Sequence, residues 1–332
     1  MLEHGGRLRA AAARWGIPRE QWLDLSTGIS PWSWLAERPQ RIAVEAWLRL
    51  PEDDDALPDA AAAYYGAPAL PVAGSQAAIQ ALPRLREPGR VGVLAGAYAE
   101  HALCWQRAGH TVLPLMPKAI DAAVDTLDVL LLVHPDNPSG LVHGRAQLLA
   151  WQARLAARGG WLIVDEAFVD AAPELSLATV AQRPGLIVLR SLGKFFGLAG
   201  ARVGFVLADA ELRAALAEQV GPWTIAGPAR QLAALALQDR DWQAQQRLRL
   251  HAASERLGTM LGQAGLRPDA GCALFQWLRT KLAADLHDAL AASGILTRLY
   301  RDNMPSLRFG LPAREVDWQR LSEALSSLTI TP

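Results

Sequence analysis

The chain has 332 residues and is 51% hydrophobic, enough for one large or two moderate domains with a substantial core. Its 33 basic and 33 acidic residues balance, which argues against a nucleic-acid or membrane-surface partner. The two cysteines, Cys104 and Cys272, fit no metal-binding spacing, and no metal is expected. The sequence has neither a signal-type N-terminus nor a long apolar run, so we expect a cytoplasmic protein.

The first part of the chain opens with His4-Gly5-Gly6, which is either a disordered terminus or a functional segment. A short extended piece, Asp24-Leu25-Ser26, follows a helical alanine–arginine stretch. Residues 40–49 predict an amphipathic helix. The acidic residues 52–55 then favour the start of another helix over a metal site, and Gly66 is its predicted C-cap.

A glycine–serine turn at Gly74-Ser75 leads into an apolar helix predicted over residues 77–85. The free N–H groups at such a helix start can bind an anion. An ordinary N-cap explains the same residues equally well.

Strands and helices alternate regularly from residue 91 onward. Short apolar runs predict strands at 91–94, 111–115, 129–133, 161–164, 186–189 and 203–207. Strands of this kind, separated by helices, predict a mostly parallel sheet covered on both faces. Because only a short link joins the last two, the last can be antiparallel.

The regular alternation of strands and helices ends after residue 222. Residues 228–264 predict long charged helices, and strands near 273–277 and 307–310 flank a helix over 281–292. We therefore expect a large domain over residues 40–222. A smaller α+β domain is expected from residues 1–39 and 223–332.

A lysine, Lys194, stands in the glycine-rich run that follows the strand at 186–189. Desolvation at such a strand end lowers a lysine pKa and makes the amine a better nucleophile. Carbonyl cofactors such as pyridoxal phosphate form Schiff bases with lysines of this kind. Ser191 and Arg202 would then donate to the cofactor phosphate. The alternative is a surface lysine beside a glycine turn.

Three successive strand ends carry Asn137, Asp165 and Lys194, each about one strand–helix unit apart. Parallel strands bring such ends to one edge of a sheet. An acidic group keeps a pyridine nitrogen protonated, an amide donates to the ring oxygen, and the lysine takes the aldehyde. The ordered set predicts a site for pyridoxal 5'-phosphate.

The runs Asn137–Gly140, Asp165–Phe168 and Ser191–Lys194, together with Arg202, resemble the class I and II aminotransferases, which are fold-type I pyridoxal-phosphate enzymes. The resemblance covers nearly the whole chain. It implies an α/β fold whose large domain has a mostly parallel seven-stranded sheet covered by helices, plus a small α+β domain. It also implies a homodimer.

The resemblance assigns roles to individual residues. Lys194 and Asp165 are implied as the catalytic pair. The implied cofactor-binding residues are Gly74, Ser75, Gln76, Tyr98, Asn137, Asp165, Ser191, Lys194 and Arg202. The implied substrate-binding residues are His4, Gly5 and Arg298 for a phosphate and Arg308 for the α-carboxylate.

Within this family, three segments resemble the branch that decarboxylates a phosphorylated amino acid in cobalamin biosynthesis: His4-Gly5-Gly6, Asp24-Leu25-Ser26 and Asp165–Phe168. The implied reaction converts L-threonine O-3-phosphate to (R)-1-aminopropan-2-yl phosphate and CO₂. The first alternative is aminotransfer of the histidinol-phosphate type. The second is a non-enzymatic cofactor-binding regulator, which the complete lysine–aspartate–asparagine set disfavours.

Two positions depart from the family pattern. Phe168 stands where aminotransferases usually carry a tyrosine that donates to the ring oxygen, which leaves that oxygen to Asn137. Leu50 stands where related enzymes often have a tyrosine that reaches the neighbouring subunit's phosphate.

Overall fold

The computed structural model describes residues 4–301 and 305–328. Two compact units make up the chain. The small unit comprises Met1–Trp32, Pro138–Gly140 and Arg247–Pro332, and the large unit comprises Ser33–Asn137 and Leu141–Gln246. The domain division at residues 40 and 222 stays a prediction. Within the described ranges no helix has the length and hydropathy needed to cross a membrane.

The strands are short, as the runs of apolar residues predict. In chain order they are β1 (Leu23–Asp24), β2 (Leu70–Val72), β3 (Arg90–Leu94), β4 (Thr111–Leu115), β5 (Val129–Val133), β6 (Trp161–Asp165), β7 (Leu186–Ser191), β8 (Gly204–Leu207), β9 (Ala270–Cys272), β10 (Phe275–Arg279), β11 (Ile295–Leu296), β12 (Arg298–Tyr300) and β13 (Ser306–Gly310).

The helices lie between these strands or at the ends of the chain. They are α1 (Leu8–Trp15), α2 (Trp34–Glu37), α3 (Glu45–Leu48), α4 (Ala56–Tyr65), α5 (Ser75–Ala81), α6 (Ala99–Arg107), α7 (Ile120–Ala123), α8 (Arg145–Ala156), α9 (Ala210–Val220), α10 (Gly227–Gln238), α11 (Arg240–Gln263), α12 (Ala283–Ala292) and α13 (Glu315–Ser326). Short 3₁₀ turns occupy Arg19–Gln21, Leu82–Leu85, Pro117–Ala119, Val124–Thr126, Val169–Ala171, Pro173–Leu175, Ala178–Val180 and Ala199–Ala201.

The large unit is built on one seven-stranded sheet with the order β2-β8-β7-β6-β5-β3-β4. The neighbours from β7 to β4 pair in parallel, whereas β8 is antiparallel to both β7 and β2. The central strands read as unbroken apolar runs because helices cover both of their faces. The predicted α/β fold with a mostly parallel seven-stranded sheet is confirmed, as is the antiparallel β8.

One strand of this sheet, β2, escapes the sequence analysis. It has three residues, and Pro71 at its centre argues against a strand when the sequence is read locally. Its register pairs Val72 with Gly204 of β8, while Ser191 of β7 pairs with the same glycine. The edge strand therefore brings the turn after β2 beside the end of β7.

The segment that precedes α4 carries one confirmed and one wrong prediction. Gly66, with φ +73°, caps the C-terminus of α4 as predicted. Asp55 caps its N-terminus by accepting from the Leu57 N–H, and it also receives two hydrogen bonds from Arg230 of α10. The amphipathic helix predicted over 40–49 is wrong, since only Glu45–Leu48 is helical and its apolar side chains are exposed.

The small unit contains an antiparallel sheet of order β12-β13-β10-β9 and a parallel pair, β1 with β11. The helix α12 packs against β11 and β12. The N-terminal helix α1 joins it through a small apolar cluster of Ala11, Trp22, Ala291 and Leu296. Both ends of the chain thus contribute to this unit.

Candidate active site

Polar residues of the large unit gather at the edge of the sheet where the parallel strands end. Asp165 is the last residue of β6, and it pairs in register with Val133 at the end of β5 and with Leu189 of β7. Asn137 follows β5, and Lys194 follows β7. The three residues predicted from successive strand ends therefore lie along one edge, as parallel pairing requires.

The carboxylate of Asp165 is buried and held from two sides. Its Oδ2 lies 2.9 Å from Nε2 of His101, and its Oδ1 accepts a 3.1 Å hydrogen bond from the Ala167 N–H. His101 is equally buried, and it lies one turn into α6 from Tyr98, whose ring contacts it edge-on. Sequence reasoning missed His101, although its helical spacing from Tyr98 was a usable signal. The pair fixes the orientation of the Asp165 carboxylate.

Lys194 lies in the link between β7 and β8 and is half-buried. The Leu192 N–H donates to the Val203 carbonyl, which ties the link to the start of β8. The lysine Nζ lies 5.5 Å from the ring centroid of Phe168, at the distance of a cation–π contact. The phenylalanine thus forms an apolar wall beside the amine.

A cluster of donors surrounds the turn that follows β2. Gly74, with φ +71°, leaves so little room that an added Cβ would lie 2.6 Å from the Arg202 guanidinium. At Gly204 an added Cβ would lie 2.4 Å from the Ser75 backbone nitrogen. Glycine at both positions lets the Ser75 backbone N–H and the Arg202 guanidinium come close together, and Ser191 pairs in register with Gly204 beside them. Such a set of donors suits a phosphate group.

Tyr98 caps the N-terminus of α6 and reaches toward the same cluster. Its hydroxyl donates to Gln76 Oε1 at 3.3 Å, and Gln76 Nε2 lies 3.4 Å from Glu100. Burial, and then the nearby carboxylates of Glu100 and Asp165, raise the pKa of Tyr98 to about 12. The phenol therefore stays neutral at physiological pH and offers a flat, uncharged ring.

Beneath this edge lies a buried ion cluster that sequence reasoning did not find. Arg190 of β7 contacts both Glu166, through a 2.9 Å hydrogen bond, and Asp170. Glu166 also accepts from the Leu177 N–H and the Ser176 hydroxyl. Burial raises the pKa of Glu166 even though Arg190 opposes the shift. Since Glu166 follows Asp165 and Arg190 precedes Ser191, the cluster ties β6 to β7 beside two predicted cofactor residues.

The predicted substrate residues lie in the small unit. Arg298 of β12 pairs in register with Arg308 of β13, so the two side chains leave the same face of the sheet. Each guanidinium lies 5.0 Å from an aromatic ring centroid, that of Tyr300 for Arg298 and that of Phe275 for Arg308. Two neighbouring guanidinium groups favour an anionic ligand.

The N-terminal residues approach the same arginine pair through Ser26. Gly5 packs so closely on this residue that an added Cβ would lie 2.3 Å from the Ser26 carbonyl oxygen. The same oxygen accepts a 3.0 Å hydrogen bond from Arg308. His4, next to Gly5, is exposed. The small unit thus brings three of its four predicted residues into one connected group, Gly5, Arg298 and Arg308, with His4 adjacent along the chain.

The residues of the large unit match the groups of a phosphorylated pyridine aldehyde one by one. The lysine amine suits the carbonyl carbon, and the fixed, buried carboxylate suits the ring nitrogen. The glycine-lined set of donors suits the phosphate. Glycine at 74 and 204 lets the Arg202 guanidinium and the Ser75 backbone nitrogen come close to this turn, as a phosphate site requires.

Comparison with known proteins agrees with this geometry. Residues 33–313 match the sequence model of the family described as aminotransferase class I and II, and the chain belongs to this family.

Three proteins illustrate the likeness. The chain is 58% identical to a threonine-phosphate decarboxylase from Pseudomonas aeruginosa, over 98% of this chain and 97% of that protein. It is 41% identical to a threonine-phosphate decarboxylase from Sinorhizobium sp, over 99% of both chains. The solved structure of histidinol-phosphate aminotransferase from Sinorhizobium meliloti in complex with pyridoxal-5'-phosphate shares the fold, with a TM-score of 0.81 at 21% identity over 98% of this chain and 96% of that one.

Proposed function

We propose that this chain is a pyridoxal-phosphate-dependent decarboxylase that converts L-threonine O-3-phosphate to (R)-1-aminopropan-2-yl phosphate and CO₂ in cobalamin biosynthesis. The observation that carries the proposal is the 58% identity over 98% of the chain to a threonine-phosphate decarboxylase. The ordered edge of Asn137, Asp165 and Lys194 supports it with the chemistry that the reaction needs.

Residues of the large unit hold the cofactor. Lys194 would bind its aldehyde, Asp165 would hold the proton on its pyridine nitrogen, and Asn137 would donate to its ring oxygen. The Gly74–Gln76 turn, Ser191 and Arg202 would bind its phosphate, and Tyr98 would lie beside its ring. When bound, pyridoxal phosphate supplies a ring that accepts the electron pair left when a bond at the substrate α-carbon breaks.

Residues of the small unit select the substrate and the bond that breaks. Arg308 would bind the α-carboxylate as a bidentate pair, which would fix the rotation about the N–Cα bond of the substrate and so the direction of the bond to the carboxylate. Arg298, His4 and Gly5 bind the substrate phosphate. Loss of CO₂ would leave the bonding pair behind. Lys194 Nζ, which is a free ammonium group once the substrate amine has taken its place on the cofactor, would then give one proton to the α-carbon. Arg308 would therefore orient the substrate, whereas Lys194 would transfer the proton.

The decisive experiment offers the pure protein and cofactor L-threonine O-3-phosphate, with and without a 2-oxo acid acceptor. We expect CO₂ and an amino-alcohol phosphate to form in equal amounts without the acceptor. Turnover that needs the acceptor, with no CO₂ released, would instead establish the histidinol-phosphate type of aminotransfer. Histidinol phosphate serves as the matched competing substrate.

The roles of the substrate residues are tested separately. Arg298→Ala should weaken discrimination between phosphothreonine and threonine roughly ten- to a hundredfold, because a charged hydrogen-bond partner is lost. A variant lacking residues 1–6 should lose discrimination in the same direction. If both variants keep the wild-type preference, phosphate recognition lies elsewhere.

We further propose that the enzyme works as a homodimer in the cytoplasm. An exposed apolar run, Val44, Trp47, Leu48 and Leu50, supports self-association, since its members are between 63% and 77% exposed. Its helix is anchored, because an added Cβ at Gly227 would lie 2.5 Å from the Ala46 carbonyl. Trp47→Glu should shift the protein to monomers in light scattering, whereas the equally exposed Leu248→Glu should not.

A further inference from the structure

Ser26 connects two parts of the small unit, the N-terminal segment and Arg308 of β13. It is 2% exposed and follows β1 directly. Its hydroxyl contacts the N-terminal segment, and its carbonyl contacts Arg308. A single buried residue therefore touches both groups that the proposed function assigns to the two anionic ends of the substrate.

The direction of the hydroxyl hydrogen bond is set by Asp24. Ser26 Oγ lies 2.6 Å from Asp24 Oδ1, and the Ser26 N–H donates to the same oxygen at 2.9 Å. A carboxylate only accepts, so the serine proton points at Asp24. The oxygen lone pair of Ser26 is then left to accept from the Gly6 N–H, at 2.7 Å. Donation to a carboxylate also strengthens the serine oxygen as an acceptor.

The carbonyl of Ser26 fixes the opposite side. It accepts from Arg308 at 3.0 Å, and Gly5 lies against it so closely that any side chain would collide with the oxygen. The hydrogen bond at Gly6 and the steric contact at Gly5 seat the same turn of the chain. The backbone carbonyl of Ser26 holds Arg308, and the side chain of Ser26 holds the segment beside His4.

We propose that Ser26 is a positioning residue for substrate binding, which sets the spacing between the phosphate-binding segment His4–Gly6 and the carboxylate-binding Arg308. This inference rests on the proposed function. Phosphothreonine carries its carboxylate and its phosphate on neighbouring carbons, so the groups that bind them must keep a fixed separation. Ser26 provides it, because both groups are tied to atoms of one buried residue.

The first test needs no substrate. Ser26→Ala removes the acceptor of the Gly6 N–H, and hydrogen exchange of the Gly6 amide should accelerate roughly tenfold. The matched control is Ser30→Ala, because Ser30 is also buried in this loop and its hydroxyl forms hydrogen bonds with the Trp32 backbone. Unchanged exchange at Gly6 in Ser26→Ala would overturn the proposal.

The second test separates positioning from general stability. In the holoenzyme, Ser26→Ala should weaken binding of O-phosphothreonine about tenfold and leave binding of L-threonine within about twofold, because the backbone carbonyl still holds Arg308. Gly5→Ala should produce the same selective loss by pushing the segment off Ser26. Equal weakening for both ligands would indicate a merely structural role and overturn the proposal.

A double-variant comparison completes the design. In protein that lacks residues 1–6, Ser26→Ala should cause no further loss of O-phosphothreonine affinity, since the segment it positions is gone. A further tenfold loss there would contradict the proposal. Wild-type protein that does not prefer O-phosphothreonine to L-threonine would overturn the proposed function itself. Retained preference with unchanged Gly6 exchange would overturn only the role of Ser26.

Discussion

The two units hold their functional residues by different physical means. At the sheet edge of the large unit, Asp165, Ser191 and Gly204 are members of a hydrogen-bonded ladder, and glycines at 74 and 204 let backbone and side chains converge. In the small unit, Ser26 contacts the N-terminal segment through a hydrogen bond from Gly6 and a steric contact at Gly5. A shift of one strand would break a row of ladder hydrogen bonds, whereas the contacts at Ser26 depend on the hydroxyl and carbonyl groups of one residue.

Under the proposed function, the sheet edge of the large unit carries the chemistry and the N-terminal segment of the small unit carries recognition of the substrate phosphate. Groups that exchange protons and hold a reactive cofactor need placement to a fraction of an ångström, which a buried sheet provides. Recognition of the substrate phosphate depends on positive charge and hydrogen-bond donors, which the N-terminal segment and Arg298 would supply under the proposed function. The following variants test this contrast, and the expected effects decrease in order.

The largest effect is expected at Lys194. Lys194→Ala should lower turnover about 10⁴-fold or more, because the amine that binds the aldehyde and carries the proton is removed. Borohydride should no longer attach the cofactor covalently to the protein. The chain has only two other lysines, Lys118 and Lys281, which are exposed and serve as matched alanine controls. Covalent label on either of them in the wild type would remove Lys194 from its role.

Asp165→Asn should retain the fold and most cofactor binding but lower turnover roughly 10²–10³-fold. A preorganised charge of this kind contributes about 3 kcal/mol, and asparagine keeps the shape while losing the charge. Steady-state rates at saturating cofactor measure the effect. Asp121→Asn, at a surface carboxylate of the same unit, is the control. Turnover near that of the wild type would exclude Asp165 from the mechanism.

Arg202→Ala should raise the cofactor dissociation constant roughly ten- to a hundredfold, since one charged donor to the phosphate is lost. Turnover at saturating cofactor should change less, because the reacting groups stay on the sheet. Fluorescence titration of the apoprotein gives the constant. The exposed Arg183→Ala should bind normally. An unchanged constant in Arg202→Ala would place the phosphate elsewhere.

A smaller, pH-dependent effect is expected at Asp55, where an ion pair with Arg230, and not strand pairing, holds two elements together. Partial burial raises its pKa, but hydrogen bonds from Arg230 and the Leu57 N–H outweigh burial, so the pKa lies below its ordinary value of 3.8. Asp55→Asn keeps the helix cap and removes the charge. At pH 7 it should lower the free energy of unfolding by about 1–2 kcal/mol, a figure reduced by solvent exposure of the carboxylate.

The sign of the pH dependence follows from that direction. A carboxylate whose pKa is lowered on folding stabilises the fold above its unfolded pKa and loses this contribution as the pH falls through its folded pKa. The difference between wild type and Asp55→Asn should therefore shrink below pH 3.8. Denaturant titrations between pH 7 and pH 3 measure it, with the exposed Asp54→Asn as control. A difference that stays constant over this range would contradict the charge pair.

Much of the large unit follows from the sequence alone. Apolar runs bounded by turns predict six of the seven strands, and the order of strand ends predicts that Asn137, Asp165 and Lys194 share an edge. These inferences succeed because they depend on local period and on the rule that parallel strands end together. The confirmed family resemblance rests on the same residues.

Other features were decided only by the tertiary structure. The strand β2 forms because Val72 pairs with Gly204. His101 orients the Asp165 carboxylate. Ser26 bonds to both Gly6 and Arg308. Each link joins residues far apart in the chain, so no periodic pattern encodes it. Residues 44–50 show the converse. Their local pattern predicts an amphipathic helix, but among the described residues no surface covers their apolar side chains, which stay exposed. Local chemistry determined which residues were available, and long-range pairing determined which of them meet.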